Sequence, residues 1–299
     1  MNSPTRFYLL SILLSFAITT STQAGSVAEL YGGTGAGGSG NNNGVLESID
    51  TMSGVGTFVS DPTGDVFARG ISGLAFDNNG TTLYASLVGA QMPFQLLTLD
   101  AMTGNTLNTV SITSNAQNLQ IQDLATNPLT NVLYGVTPNS GGLYTIDKTT
   151  GVATLIGNTG VQRSAIAFDA MGNLWQTTDN DELVQLDPIT GMRIGSATTL
   201  SMFYNAFTIL QDGRFLAAPG DEDAGPIYVI DTAGNENLLG NSGINTIGDL
   251  ASRFAAATPP PTNGVPEGGN TLALLAFALL TITAARRLPL CFHRRLSRI

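Results

Sequence analysis

Residues 73–85 read "Gly73-Leu74-Ala75-Phe76-Asp77-Asn78-Asn79-Gly80-Thr81-Thr82-Leu83-Tyr84-Ala85": a short apolar run, a turn, and a second apolar run. An Asn-Gly pair between two such runs signals a hairpin, because glycine takes the positive φ that a tight turn demands. The phrase returns as Asp123-Leu124-Ala125 with Leu133-Tyr134-Gly135, as Ala165-Ile166-Ala167-Phe168-Asp169 with Leu174-Trp175-Gln176, and as Ala206-Phe207-Thr208-Ile209 with Phe215-Leu216-Ala217. Gly172 and Gly213 stand where Gly80 stands in the first copy.

A second phrase alternates with the first. It is a strand ending in Asp followed by a Ser/Thr/Ala-Gly turn: Asp50 with Ser53-Gly54, Asp100 with Thr103-Gly104, Asp147 with Thr150-Gly151, Asp187 with Thr190-Gly191, and Asp231 with Ala233-Gly234. Successive aspartates are 50, 47, 40 and 44 residues apart. A repeat of that length holds four strands, the content of one β-propeller blade.

The fifth copy is incomplete. Gly248-Asp249-Leu250-Ala251 has no partner strand before the proline-rich stretch, whereas Glu29-Leu30-Tyr31-Gly32 matches Leu133-Tyr134-Gly135. The expectation is an all-β propeller closed by both termini, which removes an aggregation-prone edge. Five blades follow from the spacing. Six or seven stay open if Gly32–Gly44 or Asn105–Ile121 contain further strands. The paired phrases resemble YVTN/NHL-type propeller repeats from Glu29 to about Arg253, and that resemblance implies that the Leu-Ala-Phe-Asp strand lies nearest the central channel.

Both ends of the chain read as export signals. Arg6, the apolar run from Phe7 to Ile18 and the small residues up to Ala24 form a signal peptide cut after Ala24, which would pass the chain to the Sec export machinery. At the other end, uncharged residues 268–285 are just long enough for a transmembrane helix, with Arg286 and Arg287 on the cytoplasmic side. Apolar side chains cover every side of that segment, unlike the single stripe of a buried helix.

Val265-Pro266-Glu267-Gly268-Gly269, the apolar helix and Arg286-Arg287 together resemble the PEP-CTERM sorting signal in its Val-Pro-Asp/Glu form. The resemblance implies an exosortase that cuts near the motif and passes a bacterial protein to the cell surface or extracellular matrix. Gly268-Gly269, where a second proline often stands, and the long extension from Leu288 to Ile299 depart from the usual pattern. The expected organisation is a signal peptide (1–24), a propeller (25–254), a proline-rich linker (255–264) and a sorting segment (265–299).

Charge narrows the function. Arg6 and the five arginines after Ala285 account for half of the 12 basic residues, which leaves six against 21 acids between Gly25 and Pro261 and a net charge near −15. Nucleic acid and anionic membranes are poor partners for such a body. Cys291 and His293 are the only cysteine and histidine, so the body has no disulfide, Ser-His-Asp triad, cysteine nucleophile or ordinary zinc site.

No cofactor, catalytic or metal residues are assigned. The repeated aspartates suit turn chemistry, where the carboxylate accepts nearby backbone N–H groups, better than calcium, whose loop spacing is missing. Asp179-Asn180-Asp181-Glu182 and Asp221-Glu222-Asp223 read as solvated acidic loops, and Trp175 as a packing residue in a slot that tyrosine fills elsewhere. Gly32–Gly38 has dinucleotide-like glycine spacing without a strand-loop-helix context, and reads as a flexible connection.

Three classes of function remain. The first is a non-enzymatic surface propeller that binds extracellular polysaccharide or another envelope protein. The second is a glycoside-cleaving enzyme with paired carboxylates, Asp123 being a central-channel candidate. The third is a structural surface-layer component.

Overall fold

The computed structural model describes residues 28–36, 43–64, 69–89, 93–219, 225–243 and 246–254. Ala24, the motif at 265–269, Arg286, Arg287, the linker and both apolar end segments lie outside them. So do Asp221-Glu222-Asp223 and residues 37–38 of the glycine run.

The described residues form strands β1 (Leu30–Thr34), β2 (Leu46–Ile49), β3 (Gly56–Ser60), β4 (Arg69–Phe76), β5 (Thr82–Gly89), β6 (Gln95–Asp100), β7 (Thr106–Ser111), β8 (Thr113–Ser114), β9 (Gln117–Asn118), β10 (Asp123–Thr126), β11 (Leu133–Val136), β12 (Gly142–Ile146) and β13 (Ala153–Asn158). They continue as β14 (Ser164–Phe168), β15 (Leu174–Thr178), β16 (Glu182–Leu186), β17 (Arg193–Thr199), β18 (Ala206–Ile209), β19 (Phe215–Ala218), β20 (Pro226–Ile230), β21 (Glu236–Asn241) and β22 (Ile247–Ser252). No helix occurs among the described residues.

The sheets define a five-bladed β-propeller: four antiparallel sheets run in chain order, β4 to β7, β10 to β13, β14 to β17 and β18 to β21, and the remaining one has the order β22-β1-β2-β3. The last strand therefore supplies the inner strand of the first blade, with Tyr31 opposite Ala251 and Gly32 opposite Leu250. Among the described residues, the two stretches that left room for more blades hold the end of β1, the outer strand β7 and the two-residue ribbon β8-β9.

Gly32, Gly33 and Thr34 are not a flexible connection. They are buried inside β1, paired with β2 on one side and β22 on the other. A β-carbon on Gly33 would stand 2.5 Å from Cγ2 of Ile71, so the glycine there lets the next blade approach.

Aromatic side chains seal the blade interfaces. Tyr31 on β1 meets Phe76 on β4 edge-on at 5.5 Å, Tyr134 on β11 meets Phe168 on β14 at 5.0 Å, and Trp175 on β15 meets Phe215 on β19 at 5.2 Å. Trp175 is thus a packing residue, occupying the position of Tyr31 and Tyr134 in their blades.

The aspartate turns have a common geometry. Asp50 Oδ1 accepts the N–H groups of Met52 at 3.0 Å and Ser53 at 2.7 Å, while the Gly54 N–H returns to the Asp50 carbonyl at 2.8 Å. Gly54 has φ 72°, which only glycine adopts freely. Asp100 and Asp147 repeat the arrangement with Thr103 and Thr150. These hydrogen bonds, led by that of the Ser53 side chain at Asp50 and by backbone N–H groups at Asp100, Asp147 and Asp187, hold the carboxyls below their ordinary pKa.

Candidate functional site in the central channel

The first hairpin strand of each repeat lies innermost, and the ends of all five such strands converge around one cavity. The residues opening these phrases are Gly73, Asp123, Ala165, Ala206 and Asp249, which places two carboxyls and three small residues at one level of the channel.

An inner strand leaves one edge unpaired, and its N–H groups need acceptors. The two aspartates supply them. Asp249 Oδ1 accepts the Leu250 N–H at 2.7 Å and Oδ2 the Leu74 N–H of the next blade at 2.5 Å. Asp123 Oδ1 accepts the Leu124 N–H at 2.6 Å and Oδ2 the Ile166 N–H of the following blade at 2.5 Å. Gly73 lies on β4, in the blade between those of Asp249 and Asp123, and a β-carbon there would stand 2.8 Å from the Leu124 nitrogen. Its absence lets the carboxyls meet and share a hydrogen bond.

Both aspartates are fully buried. Burial, the largest effect, pushes Asp123 up to about 7 against the opposing effect of its hydrogen bonds. Burial and then the charge of Asp123 push Asp249 well above the carboxylate range. Two touching carboxylates without a cation cannot both ionise cheaply, so the pair retains at least one proton.

A second crossbar spans the channel one residue earlier. Gln122 Nε2 donates to Asn205 Oδ1 at 3.2 Å, and Asn205 Nδ2 donates to the Gly248 carbonyl at 3.3 Å. From this level to the strands' other end a half-open recess with about 30 Å³ of free space is lined by Leu74, Phe76, Leu124, Ile166, Phe168 and Phe207 among others. That is room for water and nothing larger.

This arrangement can satisfy strand edges and hold a proton, but it does not suit glycoside cleavage. Carboxyl pairs for that reaction stand roughly 5–9.5 Å apart across an open cleft, whereas these are in contact and buried. The sequence marked Asp123 as a channel residue but missed its pairing with Asp249. The available signal was that both open the same phrase, Asp-Leu-Ala.

Apart from Asp77, which lines the far end of the same cavity, the acidic positions singled out in the sequence do not converge on the channel. Asp50, Asp147 and Asp231 sit exposed at blade turns, and Asp179, Asp181 and Glu182 lie at the β15–β16 connection on the opposite face. Among the described residues no three His, Cys, Asp or Glu side chains gather to hold a metal ion.

No protein family matches the chain, and no curated protein does. Solved structures similar to it include Kuenenia stuttgartiensis hydrazine synthase, with 16% identity, TM-score 0.41 and coverage of 57% of this chain and 49% of that one. A chain of a nidogen/laminin complex has 12% identity, TM-score 0.49 and coverage of 76% and 98%. TolB from Acinetobacter baumannii has 14% identity, TM-score 0.47 and coverage of 74% and 55%. The chain thus spans about half the length of the hydrazine synthase and TolB chains. These are likenesses of shape and carry neither ligand nor activity to this chain.

Proposed function

We propose that the chain is an exported, exosortase-sorted propeller of the cell surface or extracellular matrix, and that its body binds a partner rather than catalyses a reaction. The observation that carries the binding reading is a one-sided distribution of apolar side chains. In each blade the first and third strands run in the same direction, so the turns that follow them lie on one face. Outside the outermost strands, every exposed large apolar side chain of the described residues belongs to those turns and their edges, including Met52, Met102, Leu129, Met171, Ile189 and Met192. Isolated apolar residues are ordinary on a surface, but segregation to one face marks an interaction surface. Methionine suits such a surface because its unbranched side chain adapts to different partners.

Polysaccharide or another envelope protein is the partner class that agrees with the expected address. The buried carboxyl pair supports binding over glycoside cleavage. Two measurements test the reading. Mass spectrometry of the protein from its native cells should find a start near Gly25 and an end near Val265; intact chain dissolved in the cytoplasm would overturn export. Retention on isolated surface polymer or envelope should fall when Met52, Ile189 and Met192 become serine. It should persist when Asp179 and Glu182 are neutralised, and the reverse pattern would place binding elsewhere.

A further inference from the structure

We infer that the Asp123–Asp249 pair is a proton-dependent clasp that holds the ring-closing strand β22 against β4 and β10 and loosens as its carboxyls give up their protons. The geometry sets this out. Asp249 stands on the strand that closes the ring, and its oxygens tie that strand to Leu74 on β4 while its carboxyl meets Asp123 on β10. Asp123 in turn reaches Ile166 on β14. The protonated pair therefore joins two bridges that together span four of the five blades.

No other charge on the surrounding strands relieves the pair. The residues at this level are Gly73 on β4, Ala165 on β14 and Ala206 on β18. Arg69 at the start of β4 is committed to Gln95, and Asp77, Asp169 and Arg253 follow the far ends of their strands. In the closed state the O–H of one carboxyl donates to an oxygen of the other. Below about 7 both carboxyls are protonated; the first proton to leave passes to solvent and leaves one O–H shared between them, and loss of the second leaves two buried carboxylates with their negative oxygens facing each other.

The direction with pH follows from linkage. Both groups have folded pKa values above the unfolded one, so the native state binds more protons and the clasp is fully effective below the unfolded carboxyl range, near 4. Its contribution falls as pH rises from there through about 7, and further as the second carboxyl titrates. The turn aspartates, whose pKa values are lowered, stay ionised over this range and add no slope.

The test is amide hydrogen exchange on the full chain in detergent, corrected for intrinsic rates, at pH 5 and pH 7.5. Protection of the Leu74, Leu124, Ile166 and Leu250 amides should fall by at least about a hundredfold, tenfold or more for each of the two pH units between 5 and about 7, while the β12–β13 amides stay level. Equal change in both sets, or none, overturns the clasp without reference to any variant. Asp249→Asn and Asp123→Asn should each make the slope at the remaining channel amides shallower, since one of the two raised carboxyls is gone. A variant that folds and keeps the wild-type slope also overturns it.

Discussion

Gly54 in the first blade faces Gly240 in the last: a β-carbon on Gly54 would stand 3.1 Å from the Gly240 Cα. The relationship recurs around the ring, with Gly104 against Ser60, Gly151 against Ser111, Gly191 against Gly157 and Gly234 against Thr199. The repeated turn glycine thus serves both its own backbone and the seam to the preceding blade.

Substitution of Gly240 should weaken the closure seam directly. A β-carbon there would run into the Ser53 carbonyl, which is backbone and cannot swing away. Gly240→Ala should cost about 1–3 kcal/mol in urea unfolding, the range for overpacking. A cost near zero would mean that the seam gives way.

The turn aspartates make an acid-side prediction. Asp147 has a folded pKa below its unfolded value, so its contribution is present above the unfolded pKa and disappears as pH falls through the folded one. The melting temperature of Asp147→Ala should lie below that of the native protein at pH 6, and the gap should narrow towards pH 2.5. A constant gap would assign the loss to packing.

Lys148 is the chain's only lysine, which makes its titration easy to observe. Its Nζ donates to the carbonyl and Oδ1 of Asn131, both at 2.7 Å, and lies 4.9 Å from the centroid of the Tyr84 ring in the neighbouring blade. Burial lowers its pKa to about 8. NMR of the ¹³C-dimethylated side chain should show a midpoint near that value, moving upward in Asn131→Ala if the contact restricts access to water. A midpoint at the ordinary value for lysine would mean that the head group is solvated.

Glu236 anchors a loop between the last two blades. One of its carboxyl oxygens accepts the Tyr204 hydroxyl at 2.6 Å and the other the Ser201 N–H at 2.5 Å. Burial is the largest effect raising the Tyr204 pKa, and the Glu236 hydrogen bond adds to it. Tyr204→Phe should cost about 1.5–3 kcal/mol in thermal or urea unfolding, the range for a hydrogen bond to a charged group. An unchanged midpoint would show that water replaces the hydroxyl.

The blades and the manner of closure were legible because Leu-Tyr-Gly at residues 30–32 carries the pattern of a second strand without its first, and Asp249-Leu-Ala carries a first without its second. The turn aspartates were legible too, since Asx geometry is local. The channel was only half legible. Asp123 and Asp249 are 126 positions apart in sequence, and their meeting depends on the width of the ring and on the missing β-carbon at Gly73. The apolar face was missed for a related reason: Met52 and Leu129 belong to different turn types, and only antiparallel pairing places them on the same side.

The sequence by itself determined a repeated four-strand unit, turns built on Asp and Gly, and a body whose carboxyls far outnumber its bases, because each of these follows from local backbone preference or from counting. Tertiary structure alone decided that two carboxyls come together buried in the channel and that the exposed apolar residues of the turns lie on one face. Those are distances between distant segments, fixed only when five sheets close on themselves.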